Sequence, residues 1–264
     1  MIEVRNVTKV FDSARNEHVI ALKNVSFSVD EGQFVSIVGP SGCGKSTLLY
    51  IIAGLVKPSS GEVLVDNKPV TGPGPDRGLV FQEHALFPWL TVYDNIKYGL
   101  EELGLPKSEI KKVVEYYIDL MGLRGFERKY PKELSGGMKQ RVAIARTLAC
   151  NPRIILMDEP FGSLDAQMRE ILQEELLKLW YNSKKTIIFV THSVEEAIYL
   201  SQKVIVMTYR PGTVKGIVDI NISKSVDREE LFNNNNFITL RNLIWTMVRE
   251  EVLKHYKNAK NGDL

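Results

Sequence analysis

The chain contains very little cysteine, with only Cys43 and Cys150 among its 264 residues. This excludes a disulfide scaffold and favours a reducing compartment. The longest apolar stretches, such as Ile51–Ala53 and Ile154–Met157, are far shorter than the roughly 20 residues that a membrane span requires. The N-terminus also lacks the apolar core of a signal peptide. We therefore expect a soluble cytoplasmic protein.

A large net charge is absent as well. The chain has 34 Lys and Arg residues against 32 Asp and Glu residues, which leaves a formal charge of +2. This balance provides no broad basic surface, so nucleic acid is not an expected partner. The hydrophobic share of 44% and the charged share of 25% are those of a globular protein with a large core.

Hydrophobic periodicity predicts an α/β core interrupted by a mostly helical insertion. Val25, Phe27 and Val29 alternate with polar residues as in a strand, and Phe34–Val38 is a short β-branched run. Between about 93 and 149 the spacing of apolar residues becomes helical. Apolar runs typical of strands return at 153–158 and 186–191. A terminal helix is predicted from the apolar residues Leu240, Leu243, Ile244, Met247 and Val248.

A phosphate-binding loop is predicted directly after the run Phe34–Val38. The segment Gly39–Ser46 matches G-x-x-x-x-G-K-[ST], whose glycines allow backbone N–H groups to surround phosphate. Lys45 would reach the β/γ-phosphates of ATP, Ser46 would bind Mg²⁺, and the following helix would direct its N-terminus at the anion. Cys43 is interpreted as incidental. The candidate nucleotide-binding residues here are Gly39, Pro40, Ser41, Gly42, Cys43, Gly44, Lys45, Ser46 and Thr47.

A second motif, which is acidic, follows the apolar run 154–157. Asp158 stands at the end of a predicted strand, where P-loop proteins place a ligand for Mg²⁺. The adjacent Glu159 is suitably placed to act as the general base that activates water. Alone, Asp-Glu-Pro would be read as a strand-ending turn, but beside a P-loop it predicts hydrolysis.

The segment Leu134-Ser-Gly-Gly-Met138, 23 residues (from Ser135) before Asp158, resembles the signature of ATP-binding cassette (ABC) ATPases. Other motifs of that family occur in order and cover roughly residues 2–221. The resemblance implies that Gln82 binds Mg²⁺ and takes part in catalysis, and that His192 contacts the γ-phosphate. It also implies that Phe11 stacks on the adenine. The remaining residues that the resemblance adds to the nucleotide site are Ser135, Gly136, Gly137 and Asp165. A plain core role for Phe11 stays open, and Ser193 replaces the Asp that more often follows the family's His.

The resemblance implies a P-loop NTPase (RecA-like) core, an N-terminal antiparallel β subdomain and an α-helical insertion that carries the signature. The expected ATPase domain is 1–221, with the helical subdomain at about 90–149, and 222–264 forms a C-terminal helical extension. Whether this extension packs on the core stays open.

The signature opens a helix that ends near Cys150, so its free N–H groups form a second anion site. In ABC ATPases this site covers the nucleotide on the other subunit. The resemblance therefore implies a head-to-tail pair with a second ABC ATPase subunit, expected as a homodimer, although a close relative could take that place.

A finer resemblance connects Gly72–Ile96, Met157–Gln167 and Arg210–Gly212 with the ATPases of nitrate/sulfonate/taurine importers. It implies a transmembrane permease that binds the Gln82–Leu90 region, an indirect solute-binding partner and a peripheral position on the cytoplasmic side of the cell membrane. Phe87-Pro-Trp-Leu90 supplies exposed apolar side chains for this contact. The alternative is a local hydrophobic cluster.

Two other functions are alternatives for this sequence. The first is a non-transport ABC ATPase of DNA repair, chromosome organisation or translation. Such ATPases carry long insertions or two cassettes, and a sequence of 264 residues with one P-loop matches neither description. A regulatory nucleotide-binding module without turnover is the second alternative, and Glu159 argues against it.

Overall fold

The computed structural model describes residues 1–12, 18–223 and 228–261, the side chains of 257–261 excepted. It divides into two compact units, Met1–Gly74 with Thr186–Leu264, and Pro75–Lys185. The strands are β1 (Ile2–Asp12), β2 (His18–Val29), β3 (Phe34–Val38), β4 (Ser60–Val65), β5 (Lys68–Pro69), β6 (Arg77–Val80), β7 (Ile154–Asp158), β8 (Thr186–Val190), β9 (Lys203–Met207) and β10 (Val214–Asp219). The α-helices are α1 (Lys45–Ala53), α2 (Val92–Glu102), α3 (Lys107–Leu120), α4 (Gly136–Ala149), α5 (Ala166–Ser183), α6 (Val194–Leu200), α7 (Arg228–Phe232) and α8 (Asn235–Asn261).

An antiparallel sheet of order β2-β1-β4-β5 forms one part of the first unit. In β2, Val25, Phe27 and Val29 are buried and alternate with exposed residues, as their spacing predicts. This sheet lies where the sequence predicts the N-terminal β subdomain.

Within the first unit, β3 pairs in parallel with β8 on one side and β9 on the other, and β10 pairs antiparallel with β9. All five residues of β3 and of β8 are buried. Parallel strands covered on both faces need continuous apolar sequence, which explains why Phe34–Val38 lacks the alternation of the first sheet. The loops after β3 and β8 carry candidate site residues.

The second unit combines the parallel pair β6–β7 with helices α2, α3, α4 and α5. Helix α3 buries Ile110, Val114 and Ile118, three of the positions that the helical spacing selects. It ends at Leu120, and Gly122 follows with φ +59°.

The C-terminal segment packs on the first unit. Phe237 and Ile244 of α8 are fully buried, and Phe237 contacts Phe232 of α7 edge-on with ring centroids 4.6 Å apart. In the described ranges, no helix is both long enough and apolar enough to cross a membrane.

Candidate nucleotide-binding site

The predicted phosphate-binding loop, Gly39–Gly44, connects β3 to α1 in the first unit. Gly42 and Gly44 have φ angles of +74° and +101°, which glycine adopts far more readily than other residues. A Cβ on Gly44 would also lie 2.7 Å from Cδ2 of Leu22. The shape of the loop therefore depends on glycine at both positions.

The ammonium group of Lys45 lies within this loop. Its Nζ donates to the carbonyl oxygens of Gly39 and Pro40 at 2.9 and 3.0 Å, and the residue is 5% exposed. The described residues offer it no carboxylate partner, and the first turn of α1 contains no acidic side chain. A buried cation balanced only by neutral dipoles at a helix N-terminus fits an anionic ligand such as a triphosphate.

Cys43 is buried within the same loop. Burial raises the pKa of its thiol above the ordinary value, although the nearby charge of Lys45 works in the opposite direction. A raised pKa disfavours the reactive thiolate, which agrees with the interpretation of Cys43 as incidental.

His192 follows β8 in the first unit and is exposed. The residue after it, Ser193, is the N-cap of α6, and its Oγ accepts from the N–H of Glu196 at 3.2 Å. The N–H of Ser193 donates in turn to Oγ1 of the buried Thr191 at 3.1 Å. Serine caps helices as readily as aspartate, so the departure from the family pattern leaves the turn around His192 intact.

In the second unit, Asp158 ends β7 and is fully buried, and the half-buried Glu159 follows with φ +46°. This left-handed conformation is uncommon for a residue with a side chain and is typical of functional sites. Nε2 of Gln82 donates to Oε2 of Glu159 at 3.4 Å. The two residues predicted to take part in catalysis in this unit are thus in direct contact.

The signature forms the start of α4. Ser135 is the N-cap, and its Oγ accepts from the N–H of Met138 at 3.3 Å. A Cβ on Gly137 would lie 3.4 Å from the carbonyl oxygen of Ser163, so the signature lies against the segment that leads to Asp165. Asp165 itself caps α5 by accepting from the N–H of Met168 at 2.9 Å. Its carboxylate thus has a structural role, as a helix cap, in addition to the predicted role in nucleotide binding.

Phe11 lies in β1 and is 43% exposed, with Nζ of Lys9 4.9 Å from its ring centroid. The alternative that Phe11 is a plain core residue is therefore wrong. An exposed aromatic face is available for stacking.

The segment Phe87–Leu90 is predicted either to contact a permease or to form a local hydrophobic cluster, and its aromatic residues differ in this respect. The ring of Phe87 packs on Tyr98, with centroids 4.7 Å apart, and belongs to a local aromatic cluster. Trp89 is 70% exposed, so a core role for its side chain is wrong. The structure holds a large apolar side chain in solvent on a loop that is otherwise anchored.

Asn95 of α2 provides that anchoring, a role that its sequence context did not predict. It is fully buried, accepts from the N–H of Phe87 at 2.9 Å and donates to the carbonyls of Phe87, Leu90 and Thr91. The signal available was an amide residue on the apolar side of a predicted helix, since buried amides need several partners.

The predicted site residues are distributed over both units. The phosphate loop, Phe11 and His192 belong to the first, whereas Gln82, the signature, Asp158, Glu159 and Asp165 belong to the second. Within the second unit, the structure joins Gln82 to Glu159 and the signature to the 163–165 segment.

Comparisons with known proteins identify the family of this chain. The pattern of the ABC transporter family matches residues 22–162. The uncharacterized ABC transporter ATP-binding protein MJ0412 of Methanocaldococcus jannaschii is 53% identical over 97% of this chain and 94% of its own length. The nitrate import ATP-binding protein NrtD of Synechocystis sp. is 50% identical, over 84% of this chain and 83% of its own. The aliphatic sulfonates import ATP-binding protein SsuB of Bacillus thuringiensis is 47% identical, over 84% and 87%.

A solved structure of the ATP-binding cassette MJ0796, a dimer in a post-hydrolysis state with ADP and Pi, is 37% identical and superimposes with a TM-score of 0.77 over 84% of this chain and 100% of that one. The fold and the site thus define an ATP-binding cassette built on a P-loop NTPase core. The chain belongs to the ABC transporter family, and it is an ATPase that resembles the nitrate and sulfonate importer ATP-binding proteins.

Proposed function

We propose that this chain is the ATP-hydrolysing subunit of an ABC importer for nitrate, sulfonate, taurine or a related small solute. Residues 1–221 would form the ATPase domain and 222–264 its C-terminal extension. Binding to a permease would hold the subunit at the cytoplasmic side of the membrane, where a solute-binding protein is an indirect partner. The identities of 50% with NrtD and 47% with SsuB support this assignment.

ATP would bind with its phosphates at Gly39–Thr47 and its adenine against Phe11. The desolvated ammonium of Lys45 supplies positive charge, which supports this placement. The hydroxyl of Ser46, the amide of Gln82 and the carboxylate of Asp158 are oxygen donors of the kind that Mg²⁺ prefers, and they would hold the ion beside the phosphates. When bound, Mg²⁺ neutralises charge on the phosphate oxygens.

Hydrolysis would use Glu159 as general base. Its backbone is left-handed, with φ +46°, and the amide of Gln82 donates to one of its carboxylate oxygens. His192 would contact the γ-phosphate from the end of β8. Gln82 also precedes the exposed Trp89 by only seven residues, so a partner bound there would sense the state of the nucleotide.

Two chains would close head to tail around two ATP molecules. The start of α4 at Ser135–Gly137 presents backbone N–H groups and no acidic side chain in its first turn, which favours an anion supplied by the other subunit. Asp165 lies on the neighbouring segment and would join this contact. The dimeric MJ0796 structures support the arrangement.

One observation carries the transport assignment: Trp89 is 70% exposed on a loop that the buried amide of Asn95 anchors. A preorganised aromatic side chain is the kind of anchor that dominates a protein interface. The anchored loop would enter a pocket of the permease.

The test compares Trp89→Ala with Trp245→Ala, a tryptophan of α8 that is 51% exposed. Both purified variants should melt like the wild type and hydrolyse ATP normally. Only Trp89→Ala should lose binding, by roughly thirtyfold for an interface hot spot, to membranes that contain the permease of the importer. Equal binding by the two variants would contradict the permease assignment.

A further inference from the structure

The sequence motif Arg210-Pro-Gly212 contributes no residue to the nucleotide site proposed above, yet the structure places it against the phosphate loop. This turn follows β9 and precedes β10, and it belongs to the first unit together with Gly39–Ser46. Nε and Nη2 of Arg210 each donate to the carbonyl oxygen of Gly42 at 3.3 Å. The contact joins residues 168 positions apart in the sequence.

Gly212 contacts the next carbonyl of the loop. A Cβ at this position would lie 2.1 Å from the carbonyl oxygen of Cys43, so the approach requires glycine. Two backbone hydrogen bonds hold Gly212 on β2: its N–H donates to the carbonyl of Ala21, and its carbonyl accepts from the N–H of Lys23, both at 2.9 Å. The turn is therefore a fixed surface against which the loop rests.

Peptide geometry converts these contacts into an orientation of donors. The carbonyl of Gly42 shares a peptide unit with the N–H of Cys43, and the carbonyl of Cys43 shares one with the N–H of Gly44. In a planar trans peptide the C=O and N–H bonds point in opposite directions. Because the turn contacts both carbonyls, the N–H groups of Cys43 and Gly44 are directed away from it.

The opposite side of the loop is where its donors converge. The N–H of Cys43 donates to the carbonyl oxygen of Pro40 at 3.3 Å, and Nζ of Lys45 donates to the same oxygen at 3.0 Å. A phosphate oxygen is a better acceptor for both groups because it is charged. The turn thus contacts the outer side of the loop, while the hydrogen-bond donors of the loop face inward.

We propose that Arg210 and Gly212 are positioning residues for nucleotide binding, which orient the phosphate loop through the carbonyls of Gly42 and Cys43. The inference rests on the proposed role of Gly39–Ser46 in binding ATP. Both residues would act through these two carbonyls, so we expect their effect on the affinity for the nucleotide and not on the chemical step.

Helix α8 anchors the hairpin that carries this turn. On one side of the turn, the N–H of Tyr209 donates to Oε2 of Glu251 at 3.3 Å, and the Tyr209 ring stacks on His255 with centroids 3.7 Å apart. On the other side, Nζ of Lys215 donates to Oε1 of Glu251 at 2.9 Å and to the carbonyl of Met247 at 2.8 Å. The C-terminal extension therefore fixes the turn, and through it the loop.

The test measures ATP binding and steady-state hydrolysis for the full-length variants Arg210→Ala, Arg210→Lys and, as matched control, Arg249→Ala, an exposed arginine of α8. Arg210→Ala should raise the KM and the Kd for ATP about fivefold, because an exposed guanidinium loses both of its long hydrogen bonds to a single carbonyl oxygen. Its kcat and melting temperature should not change. Arg210→Lys, which keeps one charged donor, should recover part of the affinity.

Gly212→Ala tests the steric contact independently, with Gly72→Ala as its control because a Cβ at position 72 meets no atom within 4 Å. Gly212→Ala should weaken ATP binding by more than Arg210→Ala does, and Gly72→Ala should bind normally. If Gly212→Ala fails to fold, the Arg210 variants decide alone.

Lys45→Ala separates this inference from the proposed function. If Lys45→Ala loses ATP binding while Arg210→Ala and Gly212→Ala bind like their controls, the positioning role is wrong and the loop assignment stands. If Lys45→Ala binds ATP normally, the assignment of the phosphate loop is wrong and the inference fails with it. A drop in kcat at unchanged KM in Arg210→Ala would also contradict a positioning role.

Discussion

The amide of Gln82 and the carboxylate of Glu159 lie within hydrogen-bonding distance, with Nε2 and Oε2 3.4 Å apart across 77 positions of the sequence. The contact links the end of β7 to the segment that leads to Trp89. A change at the carboxylate would therefore reach the exposed loop through one side chain. This relationship is the physical basis for expecting communication between hydrolysis and a bound partner.

The variant Glu159→Gln should separate ATP binding from hydrolysis. The amide keeps the shape of the side chain and can still accept from Gln82, but it cannot take a proton from water. ATP should bind and remain intact, and size-exclusion chromatography with ATP should show a dimer. The exposed Glu174→Gln serves as control, and a Glu159→Gln protein that hydrolyses ATP at the wild-type rate would contradict the base assignment.

Mixing two inactive variants tests whether the signature acts on the other subunit. Ser135→Arg blocks the start of α4, and Lys45→Ala removes the loop cation, so a mixed dimer retains one site with both elements intact. ATPase activity should return on mixing, up to the activity of that one site per mixed dimer.

Ser135→Thr is the control for this experiment, because it preserves the helix cap and should stay active. Absence of recovery at every mixing ratio, in dimers shown to form with nucleotide, would contradict an arrangement in which the two chains share their sites.

Asn95→Ala should destabilise the second unit. The substitution leaves the N–H of Phe87 and the carbonyl of Leu90 without the amide that binds them. The carbonyls of Phe87 and Thr91 keep a backbone donor each, from the N–H groups of Leu90 and Asn95. An unsatisfied buried group costs about 1–3 kcal/mol, so the two together should cost about 3 kcal/mol. Urea unfolding would measure it against the exposed Asn182→Ala, and equal stability of the two variants would contradict the anchoring role.

The pair Lys215–Glu251 should make stability depend on acidity. Burial opposes ionisation of Glu251, but hydrogen bonds from Lys215 and Lys254 outweigh it and hold the pKa of the carboxyl below its usual range. A lowered pKa in the folded state contributes stability above the unfolded pKa of about 4.3, and this contribution is lost as the pH falls through the folded value.

Glu251→Gln should therefore lose about 2 kcal/mol of stability at pH 7, as expected for a buried charged hydrogen bond, and its stability should fall less steeply below pH 4.5. Glu250→Gln is the control: it pairs with the same lysine at 2.7 Å, yet its side chain is 56% exposed, so its effect should be small. Parallel acid slopes for wild type and Glu251→Gln would contradict the assignment.

The order of the motifs resembles that of the ABC family, and the comparisons confirm this membership. Local patterns in the chain predict the phosphate loop, the acidic strand end and the helix that begins after Ser135. Each of these depends on short-range physics: glycines permit a backbone shape, an apolar run forms a buried strand, and a serine begins a helix. Such signals are complete within about ten residues, so the order of the motifs is visible without coordinates.

Long-range packing decided the rest. The contact of Arg210 with Gly42, the burial of Asn95 and the exposure of Trp89 depend on which segments meet after folding. Serine and aspartate can cap a helix wherever they occur. Ser193 and Asp165 act as caps here because α6 and α5 begin directly after them. A sequence states which groups can donate, accept or pack, but the partner of each group is set by the approach of distant strands and helices, which no local spacing records.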